Sequence, residues 1–463
     1  MNGAPQNPFL KRPLVVLYLR TAFPIIMLLA VHGFIAIADA WFLGRFVGSE
    51  ALAAVTLIFP FYMGVVALSS LVSAGSSSLM ARHLGAGRWD RARETFAHAH
   101  GLLLALCVGL IVLFSFFGDA TVSLAADGDV SLTVLAMPYL KITILSAPLT
   151  FLLALNTRAL QNQGRIRFMT GMSLIVSAAN IGFNYAFIVG MGLGVAGSAL
   201  GTAAAQALGL GIIYAFGLSK ATALSPTDVF RGRLLATWRS ILALGASHSL
   251  GLLSVSIASL SIITVLHGFA IDTYADTVSA YGIVTRIQTF AFLPLLGLSQ
   301  AMQSITGNNY GAGLTSRVST SLHIALVAAL AYGAVVQLGL FLFAEQLGLL
   351  FINDPSVVSE LTGMLPLVFL TFVLTGPLMI VSAHFQAIGK ARMSILLGLS
   401  KPYLFVIPMI YLLPLALGEM GLWLAWAVGD ALLLALTSLV LFWRMRAISA
   451  PAKSLTAGAG NAS

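Results

Sequence analysis

The chain has 463 residues, 59% of them hydrophobic and 8% charged, against about 45–50% apolar and about 25% charged in soluble domains. That composition excludes a soluble enzyme and a disordered chain, and spans of ~20 apolar residues leave no length for a large domain outside a bilayer. The net charge of +9 raises nucleic acid as a partner, a reading that the placement of the basic residues removes. In chain order, a basic N-terminal arm over 1–20 shows no long apolar core with a small-residue cleavage site, so the run after it reads as a retained span. Six apolar runs follow at 21–46, 51–80, 92–117, 137–160, 168–190 and 195–218, making an N-lobe over 21–217. A basic linker over 218–239 leads to six more at 240–267, 277–306, 319–344, 360–388, 393–417 and 421–443, a C-lobe over 240–445 with a tail over 446–463. The predicted fold is therefore an all-α integral membrane protein of twelve transmembrane helices in two six-helix lobes. Pro24, Pro60, Pro148, Pro294 and Pro377 fall inside spans, where neighbouring helices satisfy the freed carbonyls.

Lysine and arginine set the orientation. With the N-terminus in the cytoplasm, 21 of 24 basic residues fall on that side, including Arg158, Arg165 and Arg167 in one inner loop and Lys390, Arg392 and Lys401 in another. Arg45 falls opposite, and Lys141 and Arg286 fall within spans. Both termini are thus expected in the cytoplasm, and orientation accounts for the basic charge without nucleic acid. The single cysteine, Cys107, allows no internal disulfide and no zinc cluster.

The chain repeats itself. Residues 73–87 (Ser-Ala-Gly-Ser-Ser-Ser-Leu-Met-Ala-Arg-His-Leu-Gly-Ala-Gly) match 299–313 (Ser-Gln-Ala-Met-Gln-Ser-Ile-Thr-Gly-Asn-Asn-Tyr-Gly-Ala-Gly) at an offset of 226. Gln161-Asn-Gln-Gly matches Gln386-Ala-Ile-Gly at 225, and Gly194-Val-Ala-Gly falls opposite Gly418-Glu-Met-Gly at 224. Near-constant spacing predicts a duplication. Both halves start on the same side, so the pseudo-two-fold axis runs along the membrane normal.

These residues carry a resemblance. Asp39-Ala-Trp-Phe-Leu-Gly44 followed by Glu50-Ala-Leu-Ala-Ala, the twin Gly-Ala-Gly loops, Asn180-Ile-Gly-Phe-Asn184 and Gly194-Val-Ala-Gly-Ser-Ala-Leu-Gly-Thr202 resemble the multidrug and toxic compound extrusion (MATE) transporters over nearly the whole chain. The resemblance implies a two-lobed, V-shaped exporter that exchanges H⁺ or Na⁺ for small organic, cationic or amphipathic compounds. It also implies a cation site in the N-lobe on Asp39, Asn180, Asn184 and Thr202; at Asn184 an amide replaces the family's second carboxylate. The acidic residues that another branch places in spans seven and ten are missing, apart from Glu360 at an edge.

Depth arithmetic supports that cluster independently. Asp39, Asn184 and Thr202 lie six or seven residues from the outer ends of spans one, five and six, roughly 9–10 Å below the surface. Asn180 and Asn184, four apart, share a helix face. A carboxylate inside a span usually faces the bundle interior or water; the alternatives are an Asp that snorkels or is locked in an ion pair, amides that only bond neighbouring helices, and a Thr that bonds its own backbone. Pro24, in the same span as Asp39, is the candidate conformational hinge. Arg286 and Asp430, both inside C-lobe spans, are expected to form a structural ion pair, and Lys141 either snorkels or faces Asp39 as a counter-charge. His32, His248 and His384 lack metal-ligand spacing and read as satisfied core histidines. Gly192-Leu-Gly194-Val-Ala-Gly197 matches a dinucleotide fingerprint in the wrong context, and no phosphate-binding loop occurs, so neither nucleotide binding nor ATP drive is expected.

The reading is a secondary-active multidrug exporter in the cytoplasmic (inner) membrane, working as a monomer on small-molecule, drug-like compounds. No catalytic residue, cofactor or metal is expected beyond a coupling ion, and one carboxylate favours H⁺ over Na⁺. The alternative is a lipid-linked oligosaccharide flippase of the same superfamily, disfavoured because Arg286 and Lys141 are the only bases placed within spans.

Overall fold

Apolar runs in a bilayer must satisfy every backbone amide internally, which leaves helices as the natural solution. The computed structural model describes residues 7–126, 129–218, 224, 237–269, 274–352 and 354–449, and these hold helices and no strand. In chain order they are α1 (Pro8–Lys11), α2 (Leu14–Phe46), α3 (Ser49–Gly85), α4 (Trp89–Ala125), α5 (Val130–Leu145), α6 (Ala147–Asn162), α7 (Ile166–Asn184) and α8 (Gly194–Leu218). The second half has α9 (Trp238–Gly268), α10 (Tyr274–Gly311), α11 (Thr315–Leu342), α12 (Ala344–Phe351), α13 (Pro355–Val368), α14 (Phe372–Ala387), α15 (Ala391–Leu399), α16 (Ile407–Leu417) and α17 (Glu419–Ser449). A π-helical segment, Tyr185–Gly190, extends α7, and another, Ser400–Val406, joins α15 to α16.

Ten helices are long and apolar enough to cross a membrane, and two bent pairs, α5 with α6 and α13 with α14, bring the number to twelve. Both pairs bend by 46°, and they are the fourth span of each half. In the first pair the break follows from Pro148 in the opening turn of α6, since proline starts a helix more readily than it continues one. The linker lies almost wholly outside the described residues, and so does the tail beyond residue 449.

The duplicated glycines have a conformational reason. Gly87, Gly313, Gly164 and Gly389 have φ of 70°, 74°, 74° and 80°, the left-handed region in which a Cβ is strained. Each ends a helix in the same way: the next residue's amide reaches back five positions, as in Arg88 to His83, Leu314 to Asn309, Arg165 to Leu160 and Lys390 to Phe385. This closure satisfies orphan carbonyls and turns the chain sharply.

The same duplicated segments hold the lobes together. Asn162 donates to Ser77 Oγ at 2.9 Å and accepts from Ser304 at 2.9 Å; Gln161 donates to Ser304 and to the Gln300 carbonyl, both at 3.0 Å. Gln303 donates to Gln386 at 2.6 Å, and Ser78 donates to the Gln386 carbonyl. These side chains are almost completely buried and form a polar seal at the end of the bundle that carries the basic loops. Glycine lets the backbones close up there. A Cβ on Gly245 would fall 1.8 Å from the Leu71 carbonyl oxygen, and one on Gly75 2.0 Å from that of Ile241, so α3 and α9 touch along bare backbone.

Gly245→Val therefore cannot be accommodated without separating α3 from α9. The expected outcome is loss of export and an opened seal. Ser77→Cys, buried at 1% exposure, should resist a membrane-impermeant maleimide in the parent protein and react in the Gly245→Val background. Unchanged labelling with normal export would contradict this account of the seal.

The N-terminal arm departs from expectation. The first long helix starts at Leu14, inside the segment read as an arm, and the arm is buried rather than free. Phe9 and Tyr18 are 1% and 5% exposed within the C-lobe core. Tyr18 donates to the Ser321 carbonyl at 2.9 Å, Asn7 donates to Asn308 at 2.7 Å, and the Arg317 guanidinium donates to the carbonyls of Phe9 and Arg12. The N-terminus thus straps the N-lobe's first helix to α10 and α11 of the other lobe.

Candidate functional site

The sequence places Asp39, Asn180, Asn184 and Thr202 at one depth, and the structure brings them into contact. α2, α7 and α8 pack together. The Asn184 amide donates to Asp39 Oδ1 at 2.5 Å, and the Asn180 amide donates to Thr202 Oγ1 at 3.2 Å. Asn184 is fully buried and Asn180 6% exposed, while Asp39 and Thr202 are half-buried. Gly201 makes room: a Cβ there would lie 2.0 Å from Asn184 Oδ1. Neither amide oxygen has a hydrogen-bond donor, so both amides spend their nitrogens on the site. Asp39 has one protein donor and no ion-pair partner among the described residues.

Two groups that the sequence did not suggest lie within range of this carboxylate's charge. The phenols of Tyr62 on α3 and Tyr139 on α5 lie close enough to Asp39 to interact with its charge. No spacing rule links residues so far apart, and only the depth of each tyrosine in its span could have suggested them. Lys141 is exposed and makes no ion pair with Asp39, so of its two readings the counter-charge fails. Pro24 is accommodated inside α2, which runs unbroken from Leu14 to Phe46.

The second intramembrane carboxylate is paired, but not with Arg286. Lys401 Nζ lies 2.6 Å from Asp430 Oδ1, and the hydroxyls of Thr371 and Thr375 donate to Oδ2 at 3.0 and 2.9 Å. The expected Arg286–Asp430 pair is therefore incorrect, and Arg286 is exposed. Lys401 reaches Asp430 because the π-helical segment Ser400–Val406 packs on α17. This also moves Lys401 from a loop to the middle of a span, and Arg158 likewise lies within α6 rather than in a loop. Among the described residues no cluster of three or more His, Cys, Asp or Glu side chains could hold a metal ion.

A family model described as MatE matches residues 24–186 and 248–412, once in each half. The chain belongs to the MatE family. Known relatives agree over nearly full length: a FAD transporter of Shewanella oneidensis is 25% identical over 457 residues, covering 98% of this chain and 99% of the relative. The multidrug export protein MepA of Staphylococcus haemolyticus is 25% identical, covering 83% of this chain and 84% of its own. A solved outward-facing multidrug resistance MATE transporter superposes with a TM-score of 0.86 at 24% identity, covering 97% of this chain and all of that one. The two-lobed MatE fold and its multi-pass membrane setting follow from these matches. MatE proteins are transporters rather than enzymes.

Proposed function

We propose that this MatE protein is a cation-coupled antiporter that exports small organic, amphipathic compounds and uses Asp39 as its coupling residue. One observation carries the reading: Asp39 is an intramembrane carboxylate held by a single neutral donor, with no basic partner among the described residues. A charge in a span is costly unless it is paired or used. Asp430 is paired; Asp39 is left to a mobile cation. Proton coupling is favoured over sodium because a hard cation wants several converging oxygens. Here Asn184 turns its nitrogen to Asp39, and Asn180 turns its nitrogen to Thr202.

The seal at the basic end suits a state closed to the cytoplasm, with that end inside under the positive-inside rule. Protonation of Asp39 and binding of cargo then favour opposite states, which is all that exchange requires. Pro24 is the proposed bending point of α2, and the chain works as a monomer in the cytoplasmic membrane. The multidrug exporter among its relatives supports an organic cargo and does not favour a flippase of lipid-linked sugars.

The test is efflux from proteoliposomes under an imposed H⁺ or Na⁺ gradient, followed with a fluorescent organic compound. Drive by H⁺ alone is the expected result; drive by neither gradient in correctly inserted protein would overturn the reading. Asn184→Asp sets a second carboxylate against the first, where two like charges favour uptake of a cation. That variant should gain a response to Na⁺, and an unchanged Na⁺ response would count against the role given to Asn184.

A further inference from the structure

We propose that Arg158 and His248 form an anion-binding site between the lobes, which receives the carboxylate or phosphate group of an organic cargo. The inference rests on the transporter reading and adds the chemical class that the cleft recognises. Arg158 sits on α6 of the N-lobe, one turn before Gln161, and His248 sits on α9 of the C-lobe, one turn after Leu244. Gln161 and the Leu244 carbonyl both belong to the seal: Gln161 bonds Gln300 and Ser304, and Gln386 donates to Leu244 at 2.7 Å. Each base therefore stands one turn beyond the seal, on the side away from the basic end. Arg158 lies near enough for its charge to act on the His248 imidazole.

Neither has an ion-pair partner among the described residues. A guanidinium carries five N–H donors, and that of Arg158 has one protein acceptor, Gln161 Oε1 at 3.4 Å, with no acidic group in ion-pair range among the described residues. His248 makes no hydrogen bond among the described residues, so it is not the satisfied core histidine that its position in the sequence suggests. Both side chains are half-buried, one on a helix of each lobe. Another part-buried cation, Lys401, shows the contrast: it has a carboxylate at 2.6 Å. An unpaired guanidinium at membrane depth calls for an exchangeable anion, and its planar fork fits carboxylate and phosphate oxygens in a bidentate fashion.

The site has no counterpart in the other half. At an offset of 225 Arg158 falls on Ala383, and His248 falls back on Phe23. With Asp39 in the outer part of the N-lobe and Arg158 at the inner floor, the cleft carries opposite charges at two depths. A cargo with an anionic head lodges against the seal without competing for Asp39.

The experiment compares two dyes of similar xanthene skeleton and opposite charge, fluorescein (anionic) and rhodamine 123 (cationic), by fluorescence anisotropy on the purified full chain in phosphatidylcholine nanodiscs. Fluorescein should bind the parent protein. Arg158→Gln should weaken it by about tenfold or more, the scale of one lost charge-assisted hydrogen bond. Arg158→Lys should retain part of the affinity, and His248→Ala should weaken it less than Arg158→Gln. Rhodamine 123 binding by Arg158→Gln, unchanged or tighter, shows that the fold persists. No fluorescein binding to parent protein that binds rhodamine 123, or equal loss of both dyes in Arg158→Gln, would overturn the site. A lipid headgroup offers the same chemistry as a soluble anion. Competition by phosphatidylglycerol that is lost in Arg158→Gln would identify a headgroup as the ligand, and its absence a soluble cargo, both on the anion site. Binding is read at equilibrium with no ion gradient imposed, so a failure of ion coupling leaves this result readable.

Discussion

Proteoliposomes carrying Asp39→Asn are expected to show no efflux above protein-free vesicles under a pH gradient, although the variant inserts and elutes like the parent. The substitution is nearly isosteric. An asparagine oxygen at position 39 can still accept from Asn184 as Asp39 Oδ1 does at 2.5 Å, so the α2–α7 contact survives. What disappears is the ability to gain and lose a proton. Coupling between two ligands typically amounts to about 5–150-fold in affinity, and without an ionisable group at the site this term falls to zero. Downhill movement of cargo is a separate property and should persist, because it needs only the cleft and the alternation of states. Full gradient-driven efflux by Asp39→Asn would sink the role given to this residue. Loss of both driven and downhill movement would point instead to a damaged fold, which thermal melting of the purified variant would reveal.

The helices and the duplication were legible because the bilayer imposes a length and a period that few other contexts impose. The repeated Gly-Ala-Gly and Gln-x-x-Gly motifs revealed the duplication but not their purpose, since a seal between lobes is a contact across about 140 residues of chain, as in Gln161 with Ser304. The depth of Asp39, Asn184 and Thr202 was also legible, as helix rise converts residue counts to depth. Their contact was not, because it depends on which helices neighbour each other. Charges in the inner parts of apolar runs were misjudged: the charge count assigns Arg158 and Lys401 to inner loops, whereas both lie inside the runs 137–160 and 393–417 and on helices. Thr371 and Thr375, four apart on a helix face, were the available sign that Asp430 had partners there. Asp129 and Asp354, offset by 225 and each followed two residues later by a serine, were a readable pair of helix caps. Both accept from that serine's amide, at 2.8 and 3.0 Å.

Lys401→Met is expected to lower stability sharply, and Lys401→Met combined with Asp430→Leu to restore most of it. Removing one member of a buried ion pair costs about 3–5 kcal/mol, because the remaining charge keeps its burial and loses its compensation. The pair here meets that condition, with side-chain exposures of 18% for Lys401 and 3% for Asp430. Two threonine hydroxyls would remain on the carboxylate, too few to replace an ammonium at 2.6 Å. Removing both charges is different, since a buried pair replaced by apolar groups of similar volume is often neutral or stabilising, and the freed hydroxyls can bond their own helix. The other half of the molecule supports this expectation. At offsets of 225 and 224, Thr375 and Asp430 fall on Thr150 and Gln206, and Thr150 donates to Gln206 Oε1 at 2.9 Å. The N-lobe thus makes the same contact without any charge, so the architecture does not need the ion pair at this place. Thermal unfolding of the purified proteins in one detergent would check the order: parent and double variant close together, with Lys401→Met and Asp430→Leu each less stable, because each strands the other member's charge. A single Lys401→Met as stable as the parent would mean that Asp430 finds another cation or takes up a proton, and that the pair does not hold α15–α16 to α17.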